Sequence, residues 1–133
     1  MLPVSVFEGG CSSLEVSYVY EAKPVLMNKF RTLHWRVWGP LNKEWREAFY
    51  WLGKENCVCF DVPVDIVVKH EIVKGIVPDT ASSLPCFKAS LDGLVDSGVI
   101  KDDSPRYVRN VTFLAPEKTG RDALTIVLTG VDL

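Results

Sequence analysis

Residues 83–103, SLPCFKASLDGLVDSGVIKDD, contain the helix around which the rest of the chain can be arranged. Ser83 is placed to cap this helix, Pro85 is tolerated in a first turn, and Gly98 is typical of a helix end. We therefore predict a helix over Leu84–Ser97, followed by a turn over residues 99–105. The apolar residues recur at helical spacing and should face the core: Leu84, Phe87, Leu91, Leu94 and Val95.

The segments on either side of this helix favour a mixed arrangement of helices and strands. Residues 41–55, with Asn42 as the cap, have the spacing of a helix whose Trp45, Phe49 and Leu52 face the core. Val- and Ile-rich or alternating runs predict strands: residues 1–7, 14–20, 58–73 (bent at or starting after Pro63), 107–115 and 123–130, the last two forming a hairpin around Gly120. Residues 23–40 and 75–83 are predicted to be loops. The prediction is an α/β fold of the α+β type, with a mixed sheet of four to five strands and two helices on one side.

Length and composition set the class of protein. A chain of 133 residues, 47% hydrophobic and 24% charged, is expected to form a single domain over residues 1–133 and to be ordered. It has no apolar run long enough to span a bilayer, and its first ten residues lack the basic start of a signal peptide, so we expect a cytoplasmic protein without membrane contact. The spacing of Cys57 and Cys59 is not that of a zinc or redox motif, and we expect all four cysteines, with Cys11 and Cys86, to be free buried thiols.

Charge is distributed unevenly along the chain. Residues 23–54 hold seven Lys and Arg against two Glu, a net +5, although the whole chain carries −2. Aromatic residues are interleaved with the basic ones, so this segment could contact phosphates and stack on opened bases. The alternative is that its tryptophans pack on the domain and its charges are solvated. The residues concerned are Lys29, Arg31, Arg36, Lys43 and Trp35, with Phe30, His34 and Trp38 beside them.

Five aspartates fall between residues 79 and 103: Asp79, Asp92, Asp96, Asp102 and Asp103. Carboxylates are the ligands that Mg²⁺ prefers, and a bound Mg²⁺ can activate water for phosphodiester hydrolysis. Lys88, Asp92 and Asp96 share one helix face, whereas Asp79 and Asp102-Asp103 flank a helix about 21 Å long. Only the fold can bring these two ends together. The alternative is a set of solvated surface charges and a common turn composition.

The pattern from Lys88 to Asp103 resembles that of RusA-type Holliday-junction resolvases. Lys88 is followed by Leu91-Asp92-Gly93-Leu94, with Asp92 four residues after the lysine, and then by Gly98 and the pair Asp102-Asp103. Asp79, in the sequence Val-Pro-Asp, resembles the first catalytic aspartate of the family. The tails VTFLAP and RDAL, and HW followed by EWR, resemble phage-borne members from actinobacterial hosts.

The resemblance implies a RusA-like fold and a role for each matched residue. Asp79, Lys88 and Asp103 would be catalytic, with Asp79, Asp102 and Asp103 as ligands of Mg²⁺ or Mn²⁺. Lys88 would stabilise charge at the scissile phosphate, and Asp92 would support Lys88 or serve the structure. The protein would act on branched DNA as a homodimer, in the host cytoplasm if phage-encoded.

One departure from the family pattern leaves two functions open. The family has Asp-x-Asp-Asn with the lysine four residues after the second aspartate, whereas here Ala81 stands in place of that second aspartate and Lys88 comes nine residues after Asp79. The first hypothesis is a metal-dependent endonuclease that resolves four-way junctions by paired nicks. The alternative is a catalytically weak or inactive RusA-like module that binds DNA or a protein partner. An unrelated small enzyme has little support, since the chain has no Gly-rich phosphate loop and no Ser-His-Asp signature.

Overall fold

A mixed sheet covered by helices on one face forms the framework of the protein, as seen in a computed structural model that describes the backbone of residues 4–9 and 13–131. Its strands are β1 Val4–Gly9, β2 Ser13–Tyr20, β3 Val64–Ile72, β4 Val108–Phe113, β5 Glu117–Lys118 and β6 Ala123–Gly130. The order is β1-β2-β6-β3-β4, and the two-residue β5 pairs with the end of β3. The predicted α+β class with a mixed sheet is confirmed. Cys11 and the first three residues of the predicted N-terminal strand lie outside the described residues.

Three helices accompany the sheet: α1 Met27–Phe30, α2 Trp35–Asn56 and α3 Leu84–Ser97. Helix α3 has the predicted bounds, and Gly98 ends it in the left-handed conformation at φ 89°. Ser83 precedes it but its side chain makes no capping hydrogen bond, which corrects the predicted cap. None of these helices carries an apolar stretch that could cross a lipid bilayer.

Helix α2 begins six residues earlier than predicted. Its cap is His34, whose Nδ1 accepts a hydrogen bond from the backbone N–H of Arg36 at 3.1 Å, and not Asn42. Pro40 therefore lies inside the helix, although the sequence predicted a loop here. Pro40 removes the bond to the carbonyl of Arg36, but both residues are exposed, so water can satisfy that carbonyl. Trp38 packs edge-to-face on Phe30 at 5.0 Å and helps to hold this first part of α2.

Strand β3, helix α3 and strand β4 form a parallel crossover unit. Val64 pairs with Val108 and Val68 with Phe113 in parallel register, while β6 pairs antiparallel with the other edge of β3. The predicted hairpin between residues 107–115 and 123–130 is therefore wrong, because β3 lies between the two strands. The reason is the crossover itself: a strand that returns after a helix joins the sheet in parallel. Strand β3 starts directly after Pro63, one of the two predicted alternatives, so residues 58–63 of the predicted strand do not belong to it.

The core lies between the sheet and the pair α2 and α3. Trp45, Phe49 and Leu94 are buried against Tyr18 and Ile126, whereas Leu52 is only half-buried. The two helices approach closely where Gly93 faces the backbone of α2. Of the cysteines in the described residues, all are free, but only Cys86 is buried. Cys57 and Cys59 are exposed because they follow the end of α2 in a loop, not in a strand, and this corrects their predicted burial.

Candidate functional site

Asp79 lies in the loop that leaves the carboxyl end of β3. Its side chain is exposed, and its carbonyl accepts a hydrogen bond from the backbone N–H of Ser82 at 3.1 Å. It borders an open cavity of about 520 Å³ together with Asn28 and Arg31. Ala81 lines the same cavity with φ 70°, a left-handed conformation in which Asp and Asn are more common than Ala. The position where the resemblance expects a second carboxylate therefore faces this cavity.

Asp102 and Asp103 lie at the opposite end of α3 from Asp79. Val99 accepts a hydrogen bond from the N–H of Phe60 at 2.8 Å, and Tyr107 accepts one from that of Val64 at 2.9 Å. The segment that contains the two aspartates is thus held beside the start of β3. Since α3 has 14 residues and spans about 21 Å, one chain does not bring these aspartates to Asp79.

The surroundings of the aspartate pair are those of an exposed turn. Both side chains are exposed, and the pKa of Asp102 is lowered, first by the backbone N–H of Asp103 and then by the hydroxyl of Ser104. Over residues 14–131, no group of three or more His, Cys, Asp and Glu side chains is arranged to hold a metal ion. The three aspartates named by the resemblance do not form a joint metal site within one chain.

No ion pair joins Lys88 and Asp92 in the described residues, which favours the structural alternative for Asp92. Lys88 is exposed near the amino end of α3. Asp92 is half-buried on the side of Arg46, whose pKa is raised mainly by its hydrogen bonds to Asp96 at 2.6 and 3.0 Å. Asp92 and Asp96 therefore belong electrostatically to the contact between α2 and α3, and Lys88 is left facing solvent.

The basic residues of the predicted DNA-binding segment are all exposed on α1 and α2 or between them: Lys29, Arg31, Arg36 and Lys43. Trp35 is 70% exposed, although the Arg36 guanidinium and the His34 ring each lie 5.5 Å from its ring centroid, so much of its surface is accessible to a stacking partner. Trp38, packed on Phe30, is structural. The N–H of Met27 donates to the carbonyl of Ser82 at 2.8 Å, which ties α1 to the Asp79 loop.

A second cavity, of about 420 Å³, adjoins the first one at the carboxyl end of β3. Leu26, Ile76 and Pro78 border both cavities. The second is lined by His70 and by Asp122, neither of which belongs to the predicted site. His70 is 5% exposed, and its Nδ1 has no hydrogen-bond partner among the described residues.

The chemistry of His70 follows from its position on the buried face of β3. Burial lowers its pKa, with the nearby Asp122 opposing the effect, so its ring is neutral at neutral pH. The carboxylate of Asp122 accepts a hydrogen bond from the backbone N–H of Val73 at 3.2 Å. A histidine among Val and Ile on an alternating strand is the signal in the sequence that could have drawn attention to this site.

Comparison of the sequence with known proteins does not assign it to a family. No protein-family model matches the chain, and no curated protein matches it significantly. The resemblance to RusA-type resolvases therefore depends on the matched residues of this sequence alone.

Proposed function

We propose that this protein is a RusA-like endonuclease that binds branched DNA, four-way junctions above all, and cuts it by paired nicks in the presence of Mg²⁺ or Mn²⁺. The observation that supports this most is the grouping at the carboxyl end of β3. There the exposed carboxylate of Asp79 lines a cavity with Arg31, and α1 with Lys29 contacts the amino-terminal part of α3, which carries Lys88. An acidic residue beside basic ones is suited to bind a cation together with DNA phosphates.

The full ligand set implied by the resemblance does not fit one chain, because α3 separates Asp79 from Asp102 and Asp103. A homodimer would resolve the conflict if Asp79 of one copy lies next to Asp102-Asp103 of the other. Paired nicks in a two-fold junction also call for two symmetric sites. The proposal therefore includes a dimer whose cleavage sites are each shared between two copies.

The first experiment incubates the protein with a synthetic four-way junction labelled on each strand, with Mg²⁺, Mn²⁺ or EDTA. We expect paired nicks that require the metal and that disappear in Asp79→Asn and in Lys88→Ala. Asp61→Asn changes an exposed aspartate that the resemblance does not match and serves as the matched control. Wild-type protein that binds the junction without nicking it, or full nicking by Asp79→Asn, contradicts the endonuclease proposal.

The shared site has its own test. Asp79→Asn and Asp103→Asn are each expected to be inactive as homodimers. When they are unfolded together and refolded as a mixture, the heterodimer contains one site with both aspartates intact, so nicking of one strand returns. If both aspartates act within one chain, every site in the heterodimer lacks one of them and nicking stays absent.

The second candidate function is junction binding without cleavage. It is favoured by Ala81, which stands where the resemblance expects a carboxylate, and by the separation of the aspartates in one chain. It predicts binding that persists in EDTA and weakens steeply with salt through counterion release. Ala81→Asp then becomes informative, because an aspartate is tolerated at φ 70° and would add a ligand beside Asp79. Nicking that appears only in this variant would identify the natural protein as a binding module.

A further inference from the structure

The second cavity at the carboxyl end of β3 combines apolar walls with a few polar groups. Pro24, Leu26 and Ile76 contribute apolar surface. His70 and Asp122 supply polar atoms, and Lys23 and Lys74 add two positive charges at exposed positions. A mostly apolar pocket of about 420 Å³ with a few convergent polar groups has the size and character of a small-molecule site.

His70 is the least expected residue in this cavity. Every second residue of β3 faces the core, and the other members of that face are Val64, Ile66, Val68 and Ile72. His70 takes the fourth position of the series, and its buried Nδ1 finds no partner in the described part of the chain, which disfavours the folded state compared with an apolar side chain. Such an orphan group in a native structure calls for a partner. The side chain lines the cavity, and a rotation of the ring that turns Nδ1 toward it would let a ligand supply that partner.

The charges around the cavity restrict the ligand. Two lysines disfavour a metal cation and favour an anionic group such as a phosphate. A phosphate alone, however, would leave the apolar walls without contacts. Asp122 uses Oδ1 for the backbone of Val73, and the described residues make no hydrogen bond to its Oδ2, which can accept one from an amino group. A nucleotide combines the features that this cavity favours. Its phosphate is an anion, the faces of its base are flat and apolar, and the edge of its base forms hydrogen bonds.

We propose that this cavity binds a single unpaired deoxynucleotide, with the base between the apolar walls and hydrogen-bonded to His70 and Asp122, and the phosphate near Lys23 and Lys74. The nucleotide would come from branched DNA, so this proposal rests on the function proposed above. The bases at a branch point are the easiest to unstack. The adjoining cavity at Asp79 would then contact the neighbouring part of the same strand.

The first test uses the cavity without DNA. Deoxynucleoside monophosphates, deoxynucleosides and inorganic phosphate are titrated separately, with binding followed by calorimetry and by the NMR signals of the His70 ring. We expect the monophosphates to bind at least about tenfold more tightly than phosphate or nucleoside. His70→Leu should weaken them by a similar factor. Lys23→Ala with Lys74→Ala, at exposed positions that leave folding intact, should do the same, while Lys101→Ala at the other end of α3 should not.

The second test uses a four-way junction with 2-aminopurine at the branch point. Fluorescence should rise when the wild-type protein unstacks this base, and should not rise with His70→Leu, while anisotropy shows that both still bind the junction. Either of two results would overturn the inference and leave the proposed function standing. In the first, both proteins bind the junction equally and raise the 2-aminopurine fluorescence equally. In the second, the monophosphates bind no better than phosphate. If the junction is not bound at all, the proposed function fails, and the titration still decides whether the cavity takes a nucleotide.

Discussion

Replacement of Gly93 by alanine tests how closely α2 and α3 must approach. A Cβ at Gly93 would lie 3.0 Å from both the carbonyl carbon of Arg46 and the backbone nitrogen of Tyr50, and closer still to the carbonyl oxygen of Arg46. Carbon atoms in contact prefer about 3.5–4.0 Å, and backbone atoms cannot rotate away, so the two helices must separate. Overpacking of this kind costs about 1–3 kcal/mol. We place Gly93→Ala at the upper end of that range because its obstacle is backbone.

The helix propensity of alanine offsets part of this loss. Alanine is better than glycine in a helix interior by about 1 kcal/mol, which leaves a net loss of about 2 kcal/mol in the free energy of unfolding. For a chain of this length that lowers Tm by roughly 6–10 °C. Urea denaturation and thermal melts measure both quantities.

Gly53→Ala is the matched comparison on the other helix. Its Cβ would meet the Ser97 hydroxyl, which can rotate away, the Val99 Cγ2 at 2.8 Å and the Ser97 Cβ at 2.9 Å. None of these atoms belongs to the backbone, so the loss should be smaller than for Gly93→Ala. A Gly93→Ala protein as stable as the wild type, or more stable than Gly53→Ala, would refute the reasoning.

Three further predictions concern single side chains. Arg121 lowers the pKa of Glu71 from 4.5 through two hydrogen bonds. This carboxylate therefore contributes stability above pH 4.5 that is lost as the pH falls through its folded pKa. Glu71→Gln should be less stable at pH 7, and its free energy of unfolding, measured by urea denaturation, should decrease less as the pH is lowered. Burial lowers the pKa of His70 from 6.5, Asp122 opposes this effect, and the lysines of the cavity stay charged over this pH range. The folded state therefore loses stability as the pH drops below 6.5. His70→Leu should remove that part of the decline and should be more stable than the wild type at neutral pH by about 1 kcal/mol. Trp35→Ala should weaken junction binding by about 1–3 kcal/mol in fluorescence anisotropy without changing Tm; an unchanged affinity would contradict a stacking role for Trp35.

Local signals were enough to predict the helix and the strand whose bounds are marked by their own residues. Helix α3 has the predicted bounds because Pro85 and Gly98 mark its ends and its apolar residues keep one period. Strand β6, at Ala123–Gly130, likewise matches the prediction from its run of apolar residues. The start of α2 did not follow from local signals, since Gly39 and Pro40 favour a loop, and the packing of Trp38 on Phe30 helps to stabilise helix there instead.

The candidate site divides in the same way. Asp79, Lys88 and the basic segment could be named as candidate functional residues from the sequence by itself, because residue type and spacing are local properties. Whether Asp79 meets Asp102 and Asp103 depends on a crossover that the sequence does not state, and the crossover keeps them at opposite ends of α3.

His70 and Asp122 show the opposite case. They are far apart in the sequence, yet β3 and β6 pair so that His70 lies opposite Leu124 and Asp122 reaches the same cavity. The sequence determined which side chains face the core of each element, because alternation and helical period fix that within a few residues. Only the tertiary structure decided which ends of those elements meet, because strand order and direction depend on how the whole apolar surface is buried.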